Sequence, residues 1–340
     1  MINGHGDDIY QYGEIRCNFS SNISPLIDTS PLRQHLAERL TLINHYPEPD
    51  ARSMEVLIAA KHGISPNEVL VTSGATDAIY LIAQTLRDEG TFAVKRPTFS
   101  EYADACRMYG YEEAPQGGAV RWLCNPNNPT GELCTTDTVK VLSRRHHWLI
   151  IDQSYEDYTW EPLLSARTAI DIQNVIVIHS MTKRFAIPGL RLGYIIAPSA
   201  VTRRLRANYR PWAVNALAIE AGHWLLEDEG EHHSSENPYY REEMRMLLAQ
   251  TQYLRDRLRG IFGIHVYPTR TNFMLCSIQQ STAAELKEYL LAHHGFLIRD
   301  ASNFEGLKEC HFRIATQLPE FNDELVEAIK TFVYKVKRNA

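Results

Sequence analysis

The chain has 340 residues, 44% of them hydrophobic and 22% charged, with a formal net charge of −6. That length suits about two domains and a core large enough to carry a cleft, and the composition is that of an ordinary globular protein. The acidic balance and the lack of any Lys/Arg run exclude the electrostatic footprint of a nucleic-acid or membrane-surface binder.

The ends and the cysteines narrow the class further. Residues 1–10 are polar and lack the apolar stretch of a signal peptide, and no apolar run approaches a membrane span. Cys17, Cys106, Cys124, Cys134, Cys276 and Cys310 are scattered, with no CxxC pair and no zinc spacing with histidine. The pairs His146–His147, His232–His233 and His293–His294 are neighbours that do not converge on one ion. No metal site is expected, and a reducing cytoplasm is the expected location.

In chain order, residues 1–43 show little periodicity and are expected to pack against the C-terminal part. From 44 to 197, helices alternate with short apolar strands at 69–71, 91–95, 120–124, 148–151, 175–178 and 193–197. Near-continuous Val/Ile/Leu runs suit strands covered on both faces, and the alternation predicts an α/β domain with a mostly parallel sheet. Helices are expected at 201–209, 213–226 and 238–258, then strands at 264–267, 272–277 and 311–315. The expected division is a large α/β domain over 44–225 and a smaller α+β domain from 1–43 plus 226–340. The interval from Tyr111 to Trp122 is short, and no helix is expected in it.

The suggestive residues follow the strands, and ligands of open α/β sheets bind beyond the strands' carboxyl ends. After 69–71 comes Thr72-Ser73-Gly74-Ala75-Thr76-Asp77. Gly74 lets the backbone approach closely, while Ala75 and Thr76 offer N–H groups and a hydroxyl at a helix N-terminus, which suits a phosphate. A plain helix cap by Ser73 or Thr76 is the competing reading. After 120–124, Asn125-Pro126-Asn127-Asn128-Pro129-Thr130-Gly131 is either a turn or a loop that presents Asn128 to a ligand, with at least one Asn–Pro bond expected to be cis. After 148–151, Asp152 ends a buried strand and needs a partner. A protonated ring nitrogen or an arginine would serve.

After 175–178 the chain reads His179-Ser180-Met181-Thr182-Lys183-Arg184, with Arg191 eight residues beyond Lys183. Apolar neighbours lower a lysine pKa toward the nucleophilic range, and an arginine offers a bidentate anion clamp. A surface lysine is the competing reading. Taken together, Ser-x-Thr-Lys with its distal Arg191, Asn128-Pro129-Thr130-Gly131, and Asp152-x-x-Tyr155 resemble the fold-type I pyridoxal 5′-phosphate (PLP) enzymes of the class I and II aminotransferase family.

That resemblance implies roles residue by residue. Lys183 would carry PLP as a Schiff base and then shuttle a proton. Asp152 would pair with the ring nitrogen, Tyr155 and Asn128 with the ring oxygen, and Phe99 would stack on the ring. Gly74, Ala75, Thr76, Ser180, Thr182 and Arg191 would hold the cofactor phosphate, joined by Tyr46 from a neighbouring subunit, which implies a homodimer. Arg313 would grip the substrate carboxylate.

Within the family, the chain is similar to the branch of threonine-phosphate decarboxylases and histidinol-phosphate aminotransferases. Gly4-His5-Gly6, Phe19 to Pro25, Tyr46 to Ala51 and Arg210 to Leu217 lean to the decarboxylases. The implied activity is conversion of L-threonine O-3-phosphate to (R)-1-amino-2-propanol O-2-phosphate, in cobalamin biosynthesis. A histidinol-phosphate-type aminotransferase and a non-catalytic PLP-binding relative are the alternatives. Two substrate anions ask for two clamps, so Arg299 is expected to complement Arg313, with His5 and Asn22 adding hydrogen bonds. Asp7-Asp8 after Gly6 departs from the Gly-Asn usual at this point.

Overall fold

The computed structural model describes residues 6–227 and 238–339; His5 and the His232–His233 pair lie outside them. Thirteen strands are present among the described residues: β1 Cys17–Asn18, β2 Val69–Thr72, β3 Thr91–Ala93, β4 Glu112–Glu113, β5 Val120–Cys124, β6 Trp148–Asp152, β7 Val175–Ser180, β8 Gly193–Ile196, β9 Ile264–Val266, β10 Phe273–Ile278, β11 Phe296–Leu297, β12 Arg299–Asp300 and β13 His311–Ala315.

Seven of them form one sheet in the order β2-β8-β7-β6-β5-β3-β4. β3 to β7 pair in parallel, whereas β8 runs antiparallel to both β2 and β7. Both faces of the central strands are covered, which is why β2, β6, β7 and β8 are buried almost throughout, whereas β5 alternates and the edge strand β4 is Glu112–Glu113. Leu70, Ile150, Ile176 and Ile178 enter one core with the helix Gly74–Thr85. Val69, Val71 and Ile196 enter another with Met54 and Ala218. Because β2 is parallel to β7, the carboxyl ends of β2, β5, β6 and β7 share one edge, and β8 begins there.

A second sheet, entirely antiparallel, has the order β12-β13-β10-β9. It buries Met274, Cys276, Phe312 and Ile314 against Leu286, Leu290, Leu325 and Ile329 of the helices Ala283–His294 and Pro319–Asn339. The opening segment divides its contacts. β1 pairs in parallel with β11, and the Phe19 carbonyl accepts from the Ala315 N–H at 2.8 Å. The helix Ser30–Glu38 instead buries Leu32 with Met54, Ile58 and Ala218.

Local details follow the residues. β3 is shorter than the expected 91–95, with Val94 and Lys95 beyond its end as the chain approaches Pro97, which has no N–H for a ladder. No helix separates Tyr111 from β5: β4 is followed by a turn in which the Gly118 N–H donates to the Ala114 carbonyl at 2.9 Å. Asn125–Pro126 and Asn128–Pro129 are both cis, as is Arg96–Pro97. All six cysteines are free. No described helix is long and apolar enough to cross a membrane.

Candidate active site

A cavity of about 250 Å³ opens at the shared strand edge, between the seven-stranded sheet and the face of β12 and β13. Ala75, Thr76, Phe99, Asn128, Asp152, Tyr155, Ser180, Thr182, Lys183 and Arg191 line it from the large sheet's side. Asn22, Arg299 and Arg313 line it from the other. The other residues singled out by sequence therefore converge, with three exceptions. Gly74 sits beside Arg191 without lining the cavity. His5 lies outside the described residues, and Tyr46 stands away from this cavity, 85% exposed, with its ring 5.2 Å from that of Trp212.

One end is built for an anion. Ser73 precedes the helix Gly74–Thr85 but makes no side-chain cap bond. Its N–H donates to the Asp77 carboxylate at 3.1 Å instead. Gly74 has φ +80°, and a Cβ there would lie 2.7 Å from the Arg191 guanidinium. Glycine is thus required twice, for the left-handed backbone and for the arginine beside it. Arg191 itself has φ 59°, and its guanidinium donates to the Pro188 carbonyl at 3.2 Å. Backbone amides at a helix N-terminus, two hydroxyls (Ser180, Thr182) and a guanidinium are a phosphate's natural partners.

The middle of the cavity centres on Asp152, buried at the end of β6. Its carboxylate accepts from the Tyr102 hydroxyl at 2.8 Å and from the Ser154 N–H at 2.9 Å. Phe99 packs edge-on against Tyr102, with ring centroids 5.7 Å apart. The Tyr155 hydroxyl accepts from Asn22 Nδ2 at 3.2 Å. Burial pushes the Tyr155 phenol up to about 12, with Arg313 pulling the other way.

Lys183 sits in the four-residue helical turn Met181–Arg184 that follows β7. Its Nζ is 5.9 Å from the Tyr155 ring centroid. Desolvation, with Arg313 nearby, lowers its pKa to about 8. The adjacent Arg184 turns away and pairs with Asp157 at 2.7 Å. Lys183 is accordingly an amine of the cavity rather than of the surface. Its backbone is clasped too, since its carbonyl accepts from the Tyr158 hydroxyl at 2.7 Å.

The third part is a pair of arginines. Arg299 on β12 and Arg313 on β13 are directly opposed in register, and both are buried. Arg313 donates to the Asn128 side chain and, at 2.8 Å, to the Ser20 carbonyl. Its Nε has no hydrogen-bond partner among the described residues. Arg299 donates to Asn303 Oδ1 at 2.7 Å and lies 5.3 Å from the Phe304 ring centroid. Burial lowers the pKa of both guanidinium groups, that of Arg313 to about 10.

Sequence reasoning did not find Tyr102, Ser20, Ser154, Asn303 or Phe304. Tyr102 reaches Asp152 across fifty positions of sequence, a contact only the paired strands create. Asn303 and Phe304 lie just beyond Arg299, and their proximity to it is the one signal that could have raised them.

The family model described as "Aminotransferase class I and II" matches residues 17–112 and 108–329. The chain belongs to the class I and II aminotransferase family, whose cofactor is PLP. Its fold is similar to the crystal structure of L-threonine-O-3-phosphate decarboxylase from Porphyromonas gingivalis. That match has a TM-score of 0.87 and 36% identity, over 94% of this chain and 99% of the other. The threonine-phosphate decarboxylase of Salmonella typhimurium is 28% identical over 92% of this chain and 90% of its own length. A histidinol-phosphate aminotransferase from a Thermoanaerobacter species is 26% identical over 85% of this chain and 84% of its own.

Proposed function

We propose that this protein removes the carboxylate of L-threonine O-3-phosphate as CO2, giving (R)-1-amino-2-propanol O-2-phosphate. The observation that carries the reading is the opposed pair Arg299 and Arg313 facing Lys183 across one cavity. Two buried guanidinium groups suit a small amino acid with two anions, one clamped by each.

The residues present fit PLP. The cradle of Gly74, Ala75, Thr76, Ser180, Thr182 and Arg191 would take its phosphate, because a Cβ at Gly74 would fill the space beside Arg191. Asp152 would face the ring nitrogen, Tyr155 and Asn128 the ring oxygen, and Phe99 one ring face. Asn22 Oδ1 and Ser154 Oγ are buried without hydrogen-bond partners among the described residues, which suits polar atoms awaiting a ligand. When bound, PLP accepts the electron pair of whichever Cα bond stands perpendicular to its ring.

The protein's own groups then decide which bond that is. Arg313 holds the carboxylate and Arg299 the phosphate, so together they fix the rotation of the substrate about Cα. Asn22 and Ser20 flank the grip from the opening segment. Lys183, with its pKa held near 8, is close enough to neutrality to give up and return a proton at ordinary pH. After CO2 leaves, that proton ends on Cα.

The active unit is proposed to be a homodimer. Tyr46 and Trp212 form an aromatic pair on the surface, 85% and 50% exposed, as suits a tyrosine that completes the partner's phosphate site. A cytoplasmic enzyme of cobalamin biosynthesis is the proposed setting. The test is to incubate the protein with PLP and L-threonine O-3-phosphate, without a keto acid, and follow CO2. Steady release supports the decarboxylase. No CO2, with glutamate formed from histidinol phosphate and 2-oxoglutarate, supports the aminotransferase reading instead.

A further inference from the structure

The opening segment brings a carboxylate into the cavity that the chemistry above does not use. Asp7 lines the cavity alongside Lys183, Asn22 and Arg313. Its position is specified. Its backbone is left-handed, with φ 64°, its N–H donates to Ser20 Oγ at 3.1 Å, and its carboxylate accepts from Asn18 Nδ2. The Ser20 carbonyl in turn accepts from Arg313 at 2.8 Å. One residue, Ser20, therefore anchors both the acid and the arginine proposed to grip the substrate carboxylate. The next acid is spent elsewhere: Asp8 pairs with Lys287 at 2.7 Å and accepts from the Tyr12 hydroxyl at 3.2 Å.

An acid beside an anion clamp opposes binding. A carboxylate held by Arg313 meets the field of Asp7, and like charges in a partly desolvated site repel strongly. Transamination keeps the carboxylate, so the repulsion is the same before and after the reaction and yields no rate. Loss of CO2 removes the charge, and the repulsion goes with it. The bound substrate is raised toward its transition state. The phosphate on Arg299 supplies the binding that offsets the cost.

We propose that Asp7 is a specificity-determining residue that favours decarboxylation by electrostatic stress on the substrate carboxylate. The proposal rests on the decarboxylase reading. In the step concerned the bond from Cα to the carboxylate breaks and neutral CO2 departs. The electron pair passes into the ring of PLP, and a proton from Lys183 ends on Cα. The same field acts on the neighbouring cations, since Asp7 raises the pKa of both Lys183 and Arg313 against the lowering by burial.

The test uses PLP-loaded protein as wild type, Asp7→Asn and Asp7→Glu. Asparagine keeps the shape and the acceptor for Asn18, and removes only the charge. Two unreactive probes are titrated: 3-phosphonopropionate, which has both anions, and propylphosphonate, which lacks the carboxylate. Asp7→Asn is expected to bind 3-phosphonopropionate roughly tenfold tighter, from the loss of one unit charge nearby, with propylphosphonate nearly unchanged. Its KM for L-threonine O-3-phosphate falls and its kcat for CO2 falls by a similar factor, while Asp7→Glu recovers much of both. Equal tightening of both probes, no tightening, or an unchanged kcat overturns the proposal. Absence of CO2 from the wild type overturns the decarboxylase reading separately, because the probe ratio is measured without any turnover.

Discussion

Arg299 and Arg313 stand directly opposite each other on adjacent antiparallel strands, with both guanidinium groups buried at one cavity. Like charges so placed destabilise a sheet by a few tenths of a kcal/mol or more, and burial of each adds to the cost. The proposed role for such a pair is to hold a ligand that brings negative charge to both.

Removing one clamp at a time separates the two anions. Arg299→Gln is expected to weaken binding of the phosphate ester by roughly thirtyfold, the loss of a charge-assisted hydrogen bond in a buried site. Affinity for an unphosphorylated amino acid is little changed. Arg313→Gln has the opposite pattern, weakening carboxylate ligands while sparing propylphosphonate. Calorimetric titration of each variant checks this, and equal losses for all ligands contradict separate clamps.

Cofactor loading is expected to depend on pH, with Lys183 as the proposed cofactor lysine. Its pKa is lowered from 10.5 to about 8 by burial and by Arg313, and only the neutral amine attacks the cofactor aldehyde. The rate of PLP incorporation into the cofactor-free protein rises with pH through about 8 and levels off above it. The sign for stability agrees. The unfolded chain holds this proton more tightly, so the cost of burying the amine is full below about 8 and is relieved as the pH rises toward 10.5. Stopped-flow absorbance between pH 6 and 10 measures the first effect, and a flat profile counts against the assignment.

Gly74→Ala is a test of the anion cradle. A Cβ at φ +80° lies 2.7 Å from the Arg191 guanidinium, so the arginine must move. The left-handed backbone adds about 1–2 kcal/mol of strain. A tenfold or greater loss of PLP affinity is expected, read by equilibrium dialysis, with the far-ultraviolet circular dichroism of a folded chain.

Much of this was legible in the sequence because the site sits at the carboxyl edge of a sheet whose strands announce themselves as apolar runs. Gly74, Asp152, Lys183 and Arg191 each follow such a run or lie within a short motif after one. Tyr102 was not legible, because its hydroxyl meets Asp152 only once β5 and β6 are paired and the helix Glu101–Met108 is packed on them. The helix Ser30–Glu38 was missed for a related reason. It has a single buried apolar residue, Leu32, too little to give a period. The cross-strand partnership of Arg299 and Arg313 depends on register, which no local pattern in a two-residue strand specifies.

Shared sites are testable by hybrids. Lys183→Ala subunits lack the amine, whereas Tyr46→Ala subunits lack the residue proposed to reach across. Mixed dimers hold one site with both residues intact, so mixing the two variants restores activity above that of either alone. Activity that stays at the sum of the two separate proteins indicates that Tyr46 serves its own chain or none.

The most direct measurement gives the PLP-loaded protein L-threonine O-3-phosphate labelled with carbon-13 at the carboxyl, in the presence of 2-oxoglutarate. Both reactions are then open, and the label reports which bond at Cα breaks. Decarboxylation is expected, with the label appearing in CO2 at a steady rate and no accumulation of glutamate. Label retained in a phosphorylated 2-oxo acid, with an equal amount of glutamate, would contradict it.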